Sequence, residues 1–364
     1  MRAEERSAWL RLIATPGVGP RTARHLLEHF GLPDAIFASG RSALARVVPE
    51  PLACLLAAPP AAEVESVTAA TEHWLASSPA NALVTLADAE YPPLLLATPD
   101  PPPLLFAIGR VELLSRPALA IVGSRSATRQ GVAHAEDFAG ALARAGVTIV
   151  SGLALGIDAA AHRGALDADS DASTIAVVGT GVDTIYPASN RALTQRIRES
   201  GVVISEFPLR TPAIAHNFPR RNRIIAGLAR GVLVVEAALR SGSLTTARLA
   251  ADAGREVFAI PGSIHSPVAR GCHRLIREGA KLVESAHDIA EDLGLGQVRA
   301  PVPKLVARGA QHELLEQIGH DPIDLDTLAE RTGRDAALLA AALLELELAQ
   351  DIERLPGNRY QRLR

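Results

Sequence analysis

The chain has 364 residues, enough for two or three domains at roughly 100–200 residues each, with 37 basic and 40 acidic side chains and a formal net charge of −3. Its hydrophobic share of 48% supports a sizeable core, yet no apolar run approaches the ~18 residues of a membrane span. Cys54 and Cys272 are too far apart for a disulfide framework or zinc ribbon, and the charged start leads into no signal-peptide core, so a soluble cytoplasmic protein is expected.

Residues 1–80 read as short helices. Trp9-Leu10, Leu12-Ile13, Leu26-Leu27 and Phe30 recur at helical spacing around Pro16-Gly-Val-Gly-Pro20. The Gly17-Val18-Gly19 turn fits a helix–hairpin–helix, whose exposed backbone N–H groups can hold a phosphate, and it fits equally a tight turn inside a packing domain. A proline-rich passage (Pro92, Pro93, Pro99, Pro101 to Pro103) follows.

From there to residue 293 apolar runs alternate with helical stretches. The runs are Ala118–Val122, Val147–Val150, Thr174–Val178, Val202–Ile204, Val232–Val235 and Glu256–Ile260. This alternation predicts an α/β doubly wound parallel sheet over 81–293. A linker is expected at 294–307. Residues 308–364 show three helical patterns with a break at Thr332-Gly333, then a Pro-Gly-Asn turn between strand-like pairs, which predicts a winged helix.

In such sheets, ligands bind at the carboxyl ends of the strands. Here those ends carry Gly123-Ser124-Arg125, Ser151-Gly152, Gly179-Thr180-Gly181 and Ser205-Glu206, and the loop Ser241–Thr246 opens another helix. Glycine lets backbone approach a phosphate, and a helix N-terminus favours negative charge. Between Glu206 and Glu236 there is no carboxylate, but five arginines: Arg210, Arg220, Arg221, Arg223 and Arg230. Arginine forks match phosphate geometry, and Phe218 beside them offers either a stacking face or a core aromatic. The lysines, Lys281 and Lys304, stand in no Gly-Lys-Ser/Thr loop, which argues against a Walker-type ATPase.

These phrases together resemble the DNA-processing protein A family (DprA, also called Smf). The resemblance runs through Val122–Arg125, Ser151–Asp158 with Ala161-His162, Tyr186-Pro187 with Asn190, Phe218–Leu228, Val235–Ala237, Ser241–Ala247, Gly254–Gly262 and Gly279-Ala280. It implies an extended Rossmann domain that binds single-stranded DNA, loads a RecA-type recombinase during natural transformation, works as a homodimer, needs no cofactor and is not an enzyme. It places DNA contacts on Gly123, Ser124, Arg125, Phe218, Arg221, Asn222 and Arg223, with Ser151, Gly152, Ser241 and Ser243 as further donors. Gly271-Cys272-His273 departs from the family's frequent asparagine, and the acids at Asp167, Asp169 and Asp171 stand where a basic residue is common.

Other patterns have competing readings. Asp158 and His162, four apart on one helix, could serve as an acid–base pair, but the preferred reading is that Asp158 caps or orients the Ser151–Gly156 loop. Glu236 ends a buried strand and reads as loop-orienting rather than as a general base. His25-Leu-Leu-Glu-His29 matches a metalloprotease spacing, but Leu26, Leu27 and Phe30 explain it as an amphipathic helix. Glu345, Glu347 and Asp351 make the tail's recognition helix a poor groove reader, which favours protein contact. The rival function is a nucleoside monophosphate phosphoribohydrolase on the same sheet. That class carries Pro-Gly-Gly-x-Gly-Thr followed by a glutamate, whereas Ser241–Thr246 is followed by Ala247-Arg248-Leu249.

Overall fold

The computed structural model describes residues 2–295 and 310–363, so the expected linker falls outside the described residues from 296 on. Among the described residues, nine strands form one sheet: β1 (Asn81–Thr85), β2 (Leu104–Gly109), β3 (Ala118–Val122), β4 (Thr148–Ser151), β5 (Thr174–Val177), β6 (Val202–Ser205), β7 (Gly231–Val234), β8 (Glu256–Ala259) and β9 (Lys281–Leu282). The order is β1-β2-β6-β5-β4-β3-β7-β8-β9. From central β3 the chain steps outward through β4, β5 and β6, then returns to the other side of β3 for β7, β8 and β9. Every pair from β6 to β9 is parallel. The reversal between β3 and β7 is the topological switch point, where Rossmann-type folds open a crevice.

Three strands beyond the expected runs extend this sheet: the two-residue β9 at the parallel edge, and β1 and β2 at the other. β1 and β2 flank the proline-rich passage, and both β1–β2 and β2–β6 are antiparallel. The sheet is therefore mixed at that edge.

Alternation along β3 shows how the layers form. Leu119 and Ile121 join Phe138, Leu142 and Ile157 on one face, while Ala118, Ala120 and Val122 join Ile224, Ile225 and Val232 on the other. A third cluster reaches beyond the sheet. Trp9, Leu10, Leu12, Leu26 and Ile36 from the N-terminal helices share a core with Leu104, Phe106, Val178 and Val203.

The C-terminal part is a winged helix. Helices Ala310–Ile318, Leu325–Thr332 and Ala336–Leu348 pack with a hairpin of β11 (Ile352–Leu355) and β12 (Arg359–Arg362), and β10 (Ile323–Asp324) pairs with β12. Gly333 ends the middle helix at φ +64°, the left-handed cap glycine adopts without a Cβ clash. The hairpin touches the sheet unit through Arg129–Glu353 (3.3 Å) and a Gln361–Gln130 hydrogen bond (3.0 Å). The recognition helix itself leaves Leu338, Leu344 and Leu348 exposed.

Candidate nucleic-acid interface

An open cleft of about 750 Å³ lies over the carboxyl ends of β3, β4 and β7. Its charged lining is Arg125, Arg221 and Arg240 against the single carboxylate Asp158. The cleft is positive although the whole chain is slightly acidic.

Helical period explains the long wall. Phe218, Arg221, Asn222 and Ile225 lie three or four apart on helix Asn217–Leu228, so they share one face, and all four line the cleft. Arg223 is two residues from Arg221 and points elsewhere. Its guanidinium pairs with Glu206 and donates to the Asp100 carbonyl. Expectation and structure differ here because the neutralising acid is Glu206, at the border of the stretch without carboxylates. Arg223 anchors the fold and is not a cleft residue.

Arg221 is 4% exposed, and desolvation lowers its pKa to about 10, with Asp158 pulling it up and Arg125 pushing it down. Nη1 donates to the Val177 carbonyl, while Nε has no partner. Gly152 makes room for it: a Cβ there would sit 2.1 Å from Nη1. Asp158 accepts from the backbone N–H groups of Gly152 (3.2 Å) and Ala154 (3.3 Å), and burial raises its pKa against the pull of Arg221. The donors expected of Gly152 and Ser151 are both engaged within the fold. The Gly152 N–H is spent on Asp158, and the fully buried Ser151 hydroxyl donates to the Ile121 carbonyl (2.7 Å).

Gly123, Ser124 and Arg125 do lie in the cleft. The loop is held from behind. Ile157 N–H donates to Ser124 O (3.2 Å), and Gly156, at φ +73°, leaves no room for a Cβ beside that oxygen. Arg125 is exposed, and its guanidinium stands 5.8 Å from the Phe218 ring centre. Tyr186 faces the same ring at 5.5 Å and an interplanar angle of 36°. Tyr186, 47% exposed, and Arg240 are cleft residues the site expectation did not include. Tyr186 stood in a quoted motif, while Arg240 carried only the signal of flanking Ser241.

Four helices begin near the strand ends, and they differ in what neutralises them. Helix Arg129–Arg144 is capped by Thr128, whose N–H (3.0 Å) and hydroxyl (2.6 Å) both donate to Glu236. Helix Ile157–Leu166 carries Asp158 in its first turn. Helices Asn217–Leu228 and Gly242–Asp252 have no acid in their first turns, and both open on the cleft. Their N-termini favour an anion there. Ser241 caps the second, its oxygen accepting from Ser243 N–H (3.3 Å), with the two hydroxyls 2.7 Å apart. Asn222 donates to Gly242 O at 3.4 Å and joins the two walls.

The rival chemical groups are otherwise engaged. His162 is fully buried, its Nδ1 2.7 Å from the Thr174 hydroxyl, and burial takes its pKa down to about 3. The buried Cys272 thiol faces the Val234 and Val235 carbonyls, and desolvation pushes it up to about 12. Glu28 pairs with Arg24 at 2.9 Å, and among the described residues no three His, Cys, Asp or Glu side chains gather to hold a metal.

A Rossmann-type sheet with an open positive cleft, together with a helical domain and a winged helix, defines the architecture. Within it, residues 82–294 match the family model of DNA recombination-mediator protein A, 3–45 match the DprA-like N-terminal HHH domain and 299–358 match the DprA winged helix domain. The chain belongs to the DNA recombination-mediator protein A family. It is 46% identical over 301 residues to protein Smf of Escherichia coli, covering 80% of this chain and 79% of that one. The crystal structure of DNA processing protein A from Streptococcus pneumoniae superposes with a TM-score of 0.64 at 36% identity, over 79% of this chain and 97% of that one. A structure of the Helicobacter pylori protein, described for its unique single-stranded DNA binding mode, gives a TM-score of 0.53 at 31% identity, over 58% of this chain and 95% of that one. Among the described residues no helix is long and apolar enough to cross a membrane.

Proposed function

We propose that this chain is a non-enzymatic single-stranded DNA-binding protein that protects incoming strands and loads a RecA-type recombinase in natural transformation, acting in the cytoplasm as a homodimer. The observation that carries the DNA reading is the convergence of Arg125, Arg221 and Arg240 with two acid-free helix N-termini on one open cleft. An open site with several anion positions suits a chain of phosphates. Tyr186 and Phe218 supply aromatic faces for unpaired bases, which a duplex would not present. The Helicobacter pylori relative supports the same ligand. The recombinase, the dimer and the cellular setting rest on family resemblance.

The non-enzymatic reading is supported by what surrounds the candidate acids and bases. Asp158 accepts two backbone amides on one oxygen, which suits a loop-orienting role, and His162 is sealed in the core away from the cleft.

The test is equilibrium binding of oligothymidylate across a salt series. Arg125→Ala is expected to weaken binding by roughly tenfold to a hundredfold, as for loss of a charge-assisted hydrogen bond. It should also lower the log–log salt slope by ~0.7. Arg223→Ala should lower the unfolding midpoint while the folded fraction binds as wild type. Wild-type binding by Arg125→Ala would move the site elsewhere.

A further inference from the structure

A second groove, of about 460 Å³, leaves the cleft at Arg240 and Ser241, which line both. One wall is the outward stripe of helix Gly242–Asp252: Leu244, Thr245, Arg248 and Ala251 follow Ser241 at helical spacing. The other wall is helix Arg270–Arg277 with the turn after it, contributing Arg274, Leu275 and Glu278.

The charges in this groove differ in what is left to bind. Arg274 is paired with Glu278 at 2.8 Å, and Glu256 with Lys281 at 3.3 Å. Arg255 donates to the Leu94 carbonyl. Arg240 and Arg248 are exposed, and neither has a carboxylate partner within salt-bridge distance among the described residues. Leu239, 49% exposed, and Leu244 line the same groove.

We propose that this groove is the exit path of the strand: nucleotides beyond those in the cleft lay phosphates on Arg240 and Arg248 and bases on Leu239 and Leu244. The inference rests on the single-stranded DNA reading of the cleft and extends it. Charge complementarity and continuity with the cleft favour this occupant over an apolar peptide. Ser241 and Arg248 are seven residues apart on one helix, about 10 Å along its axis, so the path lengthens the site beyond the cleft.

The experiment compares a short oligothymidylate of about five residues with one of about twenty, the range that separates small from extended single-strand sites. Wild type, Arg248→Glu, Arg248→Lys and, as a cleft control, Arg125→Ala are titrated by fluorescence anisotropy, with sedimentation velocity on each. Arg248→Glu is expected to weaken the long oligomer about tenfold and leave the short one unchanged, and Arg248→Lys to restore binding. Equal effects on both lengths, or none on either, would overturn the exit path. A changed oligomeric state with unchanged DNA binding would overturn it too, making the groove a contact between copies. Failure of the cleft reading looks different: wild type binds neither oligomer, or Arg125→Ala leaves both unaffected, and the exit path falls with it. Arg248 is exposed, so folding should survive, and thermal melts of each variant establish that.

Discussion

Arg221 and Arg223 stand two positions apart and do opposite work. Residues two apart on a helix do not share a face, so one lines the cleft and the other holds Glu206. Once Asn217–Leu228 is recognised as a helix, that split is readable from the spacing. Reading the arginines as a charge run ahead of a strand hides it. The partner of Arg223 was not legible, because Glu206 reaches it only through the sheet's crossover. Glycine matters most at Gly152. Gly152→Ala would push a Cβ into the Arg221 guanidinium, with an expected destabilisation of about 1–3 kcal/mol in urea unfolding. His162 makes stability depend on pH. Its folded pKa, about 3, lies below the ordinary 6.5, so between those values the unfolded chain binds the extra proton. The stability it contributes is present above 6.5 and lost as pH falls from there toward 3. Urea midpoints at pH 7.5 and 5 should separate more for wild type than for His162→Gln; equal separations would refute the assignment.

At the scale of elements, the parallel strands β3 to β8 were legible because they read as mainly apolar runs, whereas β9, two residues long and led by Lys281, carries no such run. β1 and β2 were not legible either, because prolines between them mask two short runs whose pairing is settled by β6. Helix ends were legible only as glycine- and serine-rich loops. Which N-terminus stays open depends on distant carboxylates, and Glu236 reaches Thr128 across 108 residues of sequence. Thr128→Ala should cost about 1 kcal/mol of stability, as loss of a cap does, and leave DNA affinity unchanged. Ser241→Ala should cost a similar amount and also weaken oligothymidylate binding, because its helix opens on the cleft. Thermal melts and anisotropy on the same two variants separate the effects.

For the whole molecule, the N-terminal helices are more than an attachment. They cover Leu104, Phe106 and Val203, so a chain lacking residues 2–77 would expose that face. Such a truncation is expected to bind an apolar dye and self-associate in sedimentation; a monomeric, dye-free fragment would refute the shared core. Pairing Glu236 with Thr128 also has a consequence for selectivity. In a Rossmann-type fold the helix after the first strand is where a dinucleotide's pyrophosphate sits, and here a carboxylate already occupies that end. Free ATP, AMP and dinucleotides, abundant competitors for any phosphate-seeking surface, therefore lose their strongest foothold. A polymer can still gather many weak contacts. Under the single-stranded DNA function proposed above, the cleft would tell a strand from the pool of its own building blocks without reading a single base.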